Sequence, residues 1–279
     1  MWGNMRKLAI GTALSGALAL AGLAAPAASA AGTPDLTFTG VTVNKGKPIV
    51  VGTTKAVNVP VSYTLTRPKD LVIDQEKTAQ GVLLYRGTLK SPDNELGPRK
   101  APVCAPTATT ETTVTEDCTE TITAVPDQEL YEAADAGTWK AAGVYAHSDG
   151  SASDDYLHSE YDLTMWGNLA SVQIKRAARL TVNAAPEPVV KGRTLTVKGK
   201  LTRATWATGT YTGYKGQKVV LQFKADGGAY ANVRTITSGT GGALSTTVKA
   251  GKSGTYRFVF AGTATTGAKT SAGDHVTVK

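Results

Sequence analysis

Cysteine and histidine are scarce in this sequence, which has two cysteines and three histidines among 279 residues. Two cysteines are too few for a four-cysteine zinc site or for a small scaffold held by many disulfides. In an oxidising compartment an even count predicts one disulfide, between Cys104 and Cys118. This bridge closes the segment from Cys104 to Cys118 into a loop. Because the closed loop lowers the entropy of the unfolded chain, the bridge is expected to stabilise the folded state by about 3 kcal/mol. We expect the bridge to hold one local segment and not to define the fold.

Motifs of enzyme catalysis are missing as well. The sequence has no GxSxG elbow, no HExxH pair and no phosphate-binding glycine loop. His275 stands in a closing strand, where a position at the rim is expected. Adjacent carboxylates such as Glu116 and Asp117 point to opposite faces of a strand, so no acid–base pair is expected from them. The sequence therefore predicts a protein that is not an enzyme.

Helical periodicity is absent apart from the first thirty residues and a single turn near residues 128–134. Instead, apolar and polar side chains alternate, as in TLTVKGKL (194–201), KVVLQFK (218–224) and GTYRFVF (254–260). Alternation with period two is typical of strands that bury one face. Glycine-rich turns such as DGG and SGTGG separate these runs. The pattern predicts an all-β fold of antiparallel sandwiches.

Residues 1–30 have the order of an export signal. Arg6 and Lys7 precede the apolar run AIGTALSGALALAGLAA, which is followed by the small residues ASA at 28–30. Glycine and serine interrupt the run, and polar GTPD follows it, which favours cleavage over a membrane span. We expect a mature chain that is secreted, extracellular and without a membrane span.

Two motifs occur twice, and in the same order. PIVVG at 48–52 is matched by PVVKG at 188–192, and GTWKAAGVYA at 137–146 is matched by GTYRFVFAG at 254–262. The two motifs are separated by more residues in the first copy than in the second. The segment that contains the two cysteines accounts for these extra residues. The repeated order predicts two tandem units built alike.

The repeat also predicts core residues and a boundary. In each copy GT precedes an aromatic residue and a cation, so Trp139 and Tyr256 are expected to be the core anchors. The expected domains are an N-terminal β-sandwich with a disulfide-containing insertion at 31–176 and a C-terminal β-sandwich at 177–279.

The C-terminal half resembles a known domain. The runs PVVKGRTLTVKGKLTR and YTGYKGQKVVLQFK, with the ending GTYRFVFAGTATT and SAGDHVTVK, resemble the immunoglobulin-like C-terminal domain of secreted actinobacterial proteins over nearly all of 177–279. The first half, with VTVNKGKPIVVG, resembles the N-terminal module paired with that domain in a secreted family of undefined function. The resemblance implies two tandem immunoglobulin-like antiparallel β-sandwiches after a cleaved signal peptide. It carries over no catalytic residue.

Charge is divided unequally between the halves. Residues 31–176 contain 13 Lys and Arg against 19 Asp and Glu, a net charge of −6, whereas residues 177–279 contain 15 against 3, a net charge of +12. This separation favours attraction between the halves or binding of the C-terminal half to a polyanion. The expected polyanion-binding residues occupy outward strand positions: Lys198, Lys200, Lys218, Lys224 and Arg257.

The alternative interpretation of these cations is that exposed lysines keep sheets soluble and discourage edge pairing. Nucleic acid is not expected as a partner, because the chain is exported and exposed aromatics interleaved with the cations are not evident.

A polar cluster at 147–162, HSDGSASDDYLHSEYD, could hold a metal ion through Asp149, Asp154, Asp155 and His158. Its spacing differs from the twelve-residue calcium loop, so a solvated loop is expected, with calcium as the alternative and no other cofactor. A catalytic metal site built on His147 and His158 is the remaining alternative.

Three functional hypotheses follow. The first is a secreted, non-enzymatic binding or structural module whose extracellular ligand is unknown. The second is an envelope-associated protein that its basic C-terminal domain retains on an anionic cell-wall polymer. The third is a metal-dependent hydrolase that uses the 147–162 loop.

Overall fold

The computed structural model describes residues 34–74, 77–148 and 161–279. This part of the chain is built from strands, and its helical elements are three short 3-10 turns, at Asn44–Gly46, Trp206–Thr208 and Thr240–Gly242. None of the helices found there is long and apolar enough to cross a membrane. The all-β class predicted from the alternating pattern is confirmed.

The described residues contain nineteen strands. The first nine are β1 (Thr37–Val43), β2 (Ile49–Val51), β3 (Val57–Pro68), β4 (Thr78–Thr88), β5 (Ser91–Leu96), β6 (Val103–Thr109), β7 (Thr113–Ala124), β8 (Gly137–Ser148) and β9 (Tyr161–Arg176). The remaining ten are β10 (Ala178–Leu180), β11 (Asn183–Ala185), β12 (Thr194–Thr205), β13 (Thr210–Gly213), β14 (Lys218–Ala225), β15 (Ala231–Thr237), β16 (Ala243–Lys249), β17 (Gly254–Phe260), β18 (Lys269–Thr270) and β19 (Asp274–Val276).

The first nine strands form two sheets, in the orders β1-β3-β7-β6 and β2-β9-β8-β4-β5. The pairing of β2 with β9 is parallel. Side chains from both sheets fill the interior: Leu65 on β3, Val82 on β4 and Trp139 on β8 have no exposed surface. Gly143 on β8 leaves space for the Phe38 ring of β1, which a Cβ atom at this position would overlap.

The last ten strands also form two sheets. In one, β12 is central and pairs with β10, β11, β13 and β16, and the other has the order β15-β14-β17-β18 with β19 also paired to β17. Leu195, Val197 and Leu201 of β12 are buried, as their alternation predicts. They share one hydrophobic core with Tyr256 and Phe258 of β17.

The chain divides into two compact units. Unit 1 comprises residues up to Lys47 together with Asn58–Thr123 and Trp139–Val172, and unit 2 comprises Pro48–Val57, Ala124–Thr138 and Gln173–Lys279. Unit 2 thus includes segments that precede the boundary expected at residue 176, although the buried residues of its core cluster lie between Ala178 and Val276. The boundary at residue 176 stays a prediction.

Candidate binding surface

β12 presents two lysines on its exposed side. Lys198 and Lys200 are exposed, and they alternate with the buried residues Val197 and Leu201. Because a strand advances about 3.4 Å per residue, the two lysines stand about 7 Å apart along the strand on the same face. Two like charges at this separation repel each other, and an anion bound between them would relieve the repulsion.

Gly199, between the two lysines, points into the sandwich. A Cβ atom there would overlap the carbonyl oxygen of Thr181 and would lie 3.0 Å from the Phe258 ring. Glycine is therefore the residue that lets the neighbouring backbone approach β12 so closely. The close packing behind Gly199 keeps both lysines directed outward.

The neighbouring strands of this sheet add two further cations, Arg179 on β10 and Lys249 on β16, and no carboxylate. Arg179 on β10 is exposed and pairs with Thr202, which lies on the same side of β12 as Lys198 and Lys200. None of the five strands, ARL, NAA, TLTVKGKLTRAT, TYTG and ALSTTVK, contains Asp or Glu. We call Arg179, Lys198 and Lys200 the basic face.

An aromatic ring holds one of these cations in position. The guanidinium carbon of Arg179 lies 3.7 Å from the centre of the Tyr211 ring on β13. Stacking of this kind stabilises a guanidinium group and leaves its N–H edge available to an anion. The basic face therefore combines two exposed lysines with one arginine that is stacked on a tyrosine ring.

The other three expected cations lie on the second sheet of the same sandwich. Lys218 and Lys224 belong to β14 and Arg257 to β17, so their outward side chains face away from the basic face. The Tyr230 ring contacts two of these cations. Its centre lies 5.3 Å from the Lys224 ammonium and 3.5 Å from the Arg257 guanidinium carbon. Arg257 Nε also donates a hydrogen bond of 2.8 Å to Gln222 Oε1. The structure thus divides the five expected cations between two opposite faces.

Tyr211 and Tyr230 are the residues that the sequence did not reveal. Both rings are half-buried and stack on arginines that are distant in sequence. The expectation that nucleic acid is not a partner stays a prediction. Strand pairing brings β10 and β13 to the two sides of β12, and no local motif predicts that contact. The only available signal was the presence of tyrosines near glycine-rich turns.

The expected metal ligands Asp149, Asp154, Asp155 and His158 lie outside the described residues, as does the predicted signal peptide at 1–30. Within the described ranges, no group of three or more His, Cys, Asp or Glu side chains could hold a metal ion. His147, at the end of β8, is described, and its Nδ1 atom is buried without a hydrogen-bond partner.

The expected disulfide is confirmed. Cys104 on β6 and Cys118 on β7 are bonded and lie directly opposite each other in the antiparallel register. The Cys118 side chain is buried, whereas β6 is an exposed edge strand. The bridge therefore fastens the edge strand of this sheet to a strand that contributes to the core.

β7 also places two carboxylates inside unit 1. Glu116 and Glu120 are four residues apart, so both point inward beside Cys118, whereas the adjacent Asp117 points outward as predicted. Arg67 Nε donates to Glu116 Oε2 at 2.9 Å. The adjacent pair Glu116 and Asp117 does face opposite ways, as predicted, whereas Glu116 and Glu120 share a face, as positions four apart in a strand do.

Glu120 links the two sheets of unit 1. Its Oε1 atom accepts a hydrogen bond of 2.7 Å from the Val82 amide of β4. Burial raises the pKa of Glu120 to about 8, and the Val82 hydrogen bond only partly opposes that shift. Burial, followed by the charges of Glu120 and Glu116, also raises the pKa of Tyr63. The Tyr63 hydroxyl and Glu120 Oε2 are buried without hydrogen-bond partners.

Comparison with known proteins gives structural likeness only. No family model matches the chain, and no curated protein matches it. Among solved structures, the chain is similar to the full ectodomain (Ig1–Ig3) of mouse nectin-like molecule 4, with 13% identity, a TM-score of 0.22, and coverage of 86% of this chain and 65% of that one.

Two further solved structures give similar values. The BSP domain of a biofilm associated protein is 9% identical, with a TM-score of 0.26 and coverage of 87% of this chain and 51% of that one. BcpA, the major pilin subunit of Bacillus cereus, is 11% identical, with a TM-score of 0.24 and coverage of 81% and 59%. The chain thus spans 51% to 65% of the length of these proteins.

Proposed function

We propose that the chain is an exported, non-enzymatic binding module whose C-terminal sandwich holds an anionic polymer of the cell envelope through the basic face. The observation that carries this proposal is the sheet around β12, whose five strands contain no carboxylate and present Arg179, Lys198 and Lys200 outward. The disulfide between Cys104 and Cys118 supports an oxidising, extracellular location.

Charge explains why a polymer suits this surface. A small ion contacts only one or two exposed cations of a sheet face, whereas a chain of regularly spaced anions contacts several of them at once. The net charge of +12 on residues 177–279 adds a long-range attraction that brings such a polymer towards the sandwich. Salt weakens this attraction, because ions screen exposed charges over about 10 Å.

Binding of poly(glycerol phosphate) to the mature chain tests the proposal, with uncharged dextran as the ligand control, at low and at high salt. Lys198→Gln with Lys200→Gln is expected to weaken binding about tenfold at low salt, since each exposed ion pair contributes up to about 1 kcal/mol. Lys218→Gln with Lys224→Gln removes the same charge from the opposite face and is expected to have a smaller effect.

Two results would count against the proposal. Equal weakening by the two double variants would show that net charge and not the basic face governs binding. Binding of the wild-type chain that is the same at low and high salt, or the same to dextran, would remove the electrostatic basis altogether.

A further inference from the structure

A second surface of unit 2 is a cleft between two strands that are both edges of their sheets. β15 pairs with β14 on one side, and no strand of the described residues pairs with its other side. Likewise, β16 pairs with β12 alone among the described strands. The sandwich is therefore open along this side, and a cleft of about 390 Å³ lies between the two strands.

The floor of the cleft is apolar. Phe223 on β14 and Tyr256 on β17 are a cross-strand pair whose ring centres are 4.6 Å apart, and both line the cleft. Val248 on β16 is half-buried against the core, and Val233 on β15 keeps 44% of its surface exposed. An apolar side chain placed here would cover surface that water now contacts.

The rim of the cleft is cationic. Arg234 on β15, Lys249 at the end of β16 and Lys252 in the following turn line the cleft and are exposed. Arg234 donates a hydrogen bond of 3.3 Å to the Thr246 hydroxyl, which orients its guanidinium group. No carboxylate lines the cleft. The three positive charges thus have no negative partner on the walls of the cleft.

The edge of β15 adds a third kind of contact. A strand at the edge of a sheet has N–H and C=O groups that face away from the sheet, and they can pair with an added strand. All seven residues of β15 are exposed or half-exposed, and the strand lacks lysine, proline and carboxylate residues, which commonly block such pairing. A lipid headgroup would use the cations and the apolar floor but would leave these backbone groups unpaired.

We propose that the cleft between β15 and β16 docks an extended acidic peptide segment of a partner protein. The segment adds an antiparallel or parallel strand to β15, alternate apolar side chains cover Phe223 and Val233, and carboxylates contact Arg234, Lys249 and Lys252. This mode is strand addition, in which main-chain hydrogen bonds supply affinity and pockets for alternate side chains supply specificity. The site is distinct from the basic face and does not depend on the function proposed for it.

A fluorescein-labelled peptide of alternating valine and glutamate is the probe, and the mature full chain is the receptor. Arg234→Gln with Lys252→Gln is expected to weaken peptide binding at least tenfold, and Val233→Ser, at an exposed position, to weaken it several-fold. A peptide of alternating valine and lysine should not bind. Lys198→Gln with Lys200→Gln is the matched control and should leave peptide binding unchanged while it weakens polymer binding.

Backbone pairing is tested separately. A Val–Glu peptide with N-methyl groups on alternate amides keeps its charge but cannot pair fully with β15, so it is expected to lose most of its binding. Amide hydrogen exchange of residues 231–237 should slow when the unmodified peptide is added. Equal binding of the methylated peptide, unchanged exchange in β15, or binding of anionic vesicles but not of the peptide would overturn the proposal.

Discussion

Val189 forms a parallel bridge with Val278, so the start of the C-terminal half runs beside its last residues. Ile49 pairs with Ile174 in the same parallel sense. Val189 belongs to PVVKG and Ile49 belongs to PIVVG, the two copies of one repeated motif. The repetition in the sequence therefore corresponds to one structural role, a short early segment that pairs in parallel with a closing one.

Trp139 fills the interior of unit 1, where it has no exposed surface. We expect Trp139→Ala to lower the free energy of unfolding by about 3–5 kcal/mol, because the cavity it leaves adds to the lost burial. Trp139→Phe should cost less. Urea unfolding followed by circular dichroism measures both. Val72→Ala, at a position that is 78% exposed, is the control and should change stability by no more than about 0.5 kcal/mol.

The disulfide between Cys104 and Cys118 spans a sequence separation of 14. Replacing both cysteines by alanine is expected to lower the free energy of unfolding by about 3 kcal/mol, since the unfolded chain regains its freedom. Urea unfolding of the double variant and of the wild type, with and without a reductant, gives the comparison. A reductant that destabilises the double variant as much as the wild type would contradict this explanation.

Glu120 should make the chain more stable in acid than in mild base. Burial raises its pKa from 4.5 to about 8, so the folded state keeps a proton that the unfolded chain releases between these values. The contribution of Glu120 to the free energy of unfolding is therefore full below pH 4.5 and is lost as the pH rises to about 8. The loss is on the order of 5 kcal/mol, at about 1.4 kcal/mol for each pKa unit.

Glu120→Gln tests this pH dependence. Glutamine keeps an acceptor for the Val82 amide but does not titrate, so stability of the variant should vary less between pH 5 and pH 8. The variant should also be more stable than the wild type above pH 8. Unfolding in urea across this pH range is the measurement, and parallel curves for the two proteins would disprove the role given to Glu120.

Gly199 should not tolerate a side chain. A Cβ atom there would overlap the Thr181 carbonyl oxygen, and because this obstacle is backbone, the sheet itself must shift. Gly199→Ala is expected to cost about 1–3 kcal/mol, the usual range for overpacking. Thermal and urea unfolding report the change. Gly251→Ala, where no atom lies within 4 Å of the added Cβ, is the control and should be near neutral.

Several features could be predicted from the sequence because they depend on neighbouring residues alone. Alternation in TLTVKGKL indicated that Leu195 and Val197 are buried and that Lys198 is exposed, and the structure shows the same. The same pattern in GTYRFVF predicted that the Tyr256 side chain points inward, and Tyr256 is 4% exposed. A single pair of cysteines left one partner for each.

Other features depend on which strands lie side by side, and period two does not encode that. Lys198 and Lys218 carry the same charge at outward positions, yet they lie on opposite sheets of one sandwich. Glu120 likewise accepts a hydrogen bond from the Val82 amide of β4, a contact between two sheets that alternation within β7 does not encode.

Local pattern in the chain was enough to predict the strand class, the inward and outward positions of the alternating C-terminal strands, the disulfide and the separation of charge between the halves. Strand pairing, by contrast, places Arg179 on Tyr211, divides the expected cations between two faces, and brings Phe223 and Tyr256 together at the floor of an open cleft. The two kinds of feature differ in the sequence distance over which they arise. Side-chain direction alternates between neighbouring residues, whereas lateral contacts form when segments that are distant along the chain pair with each other.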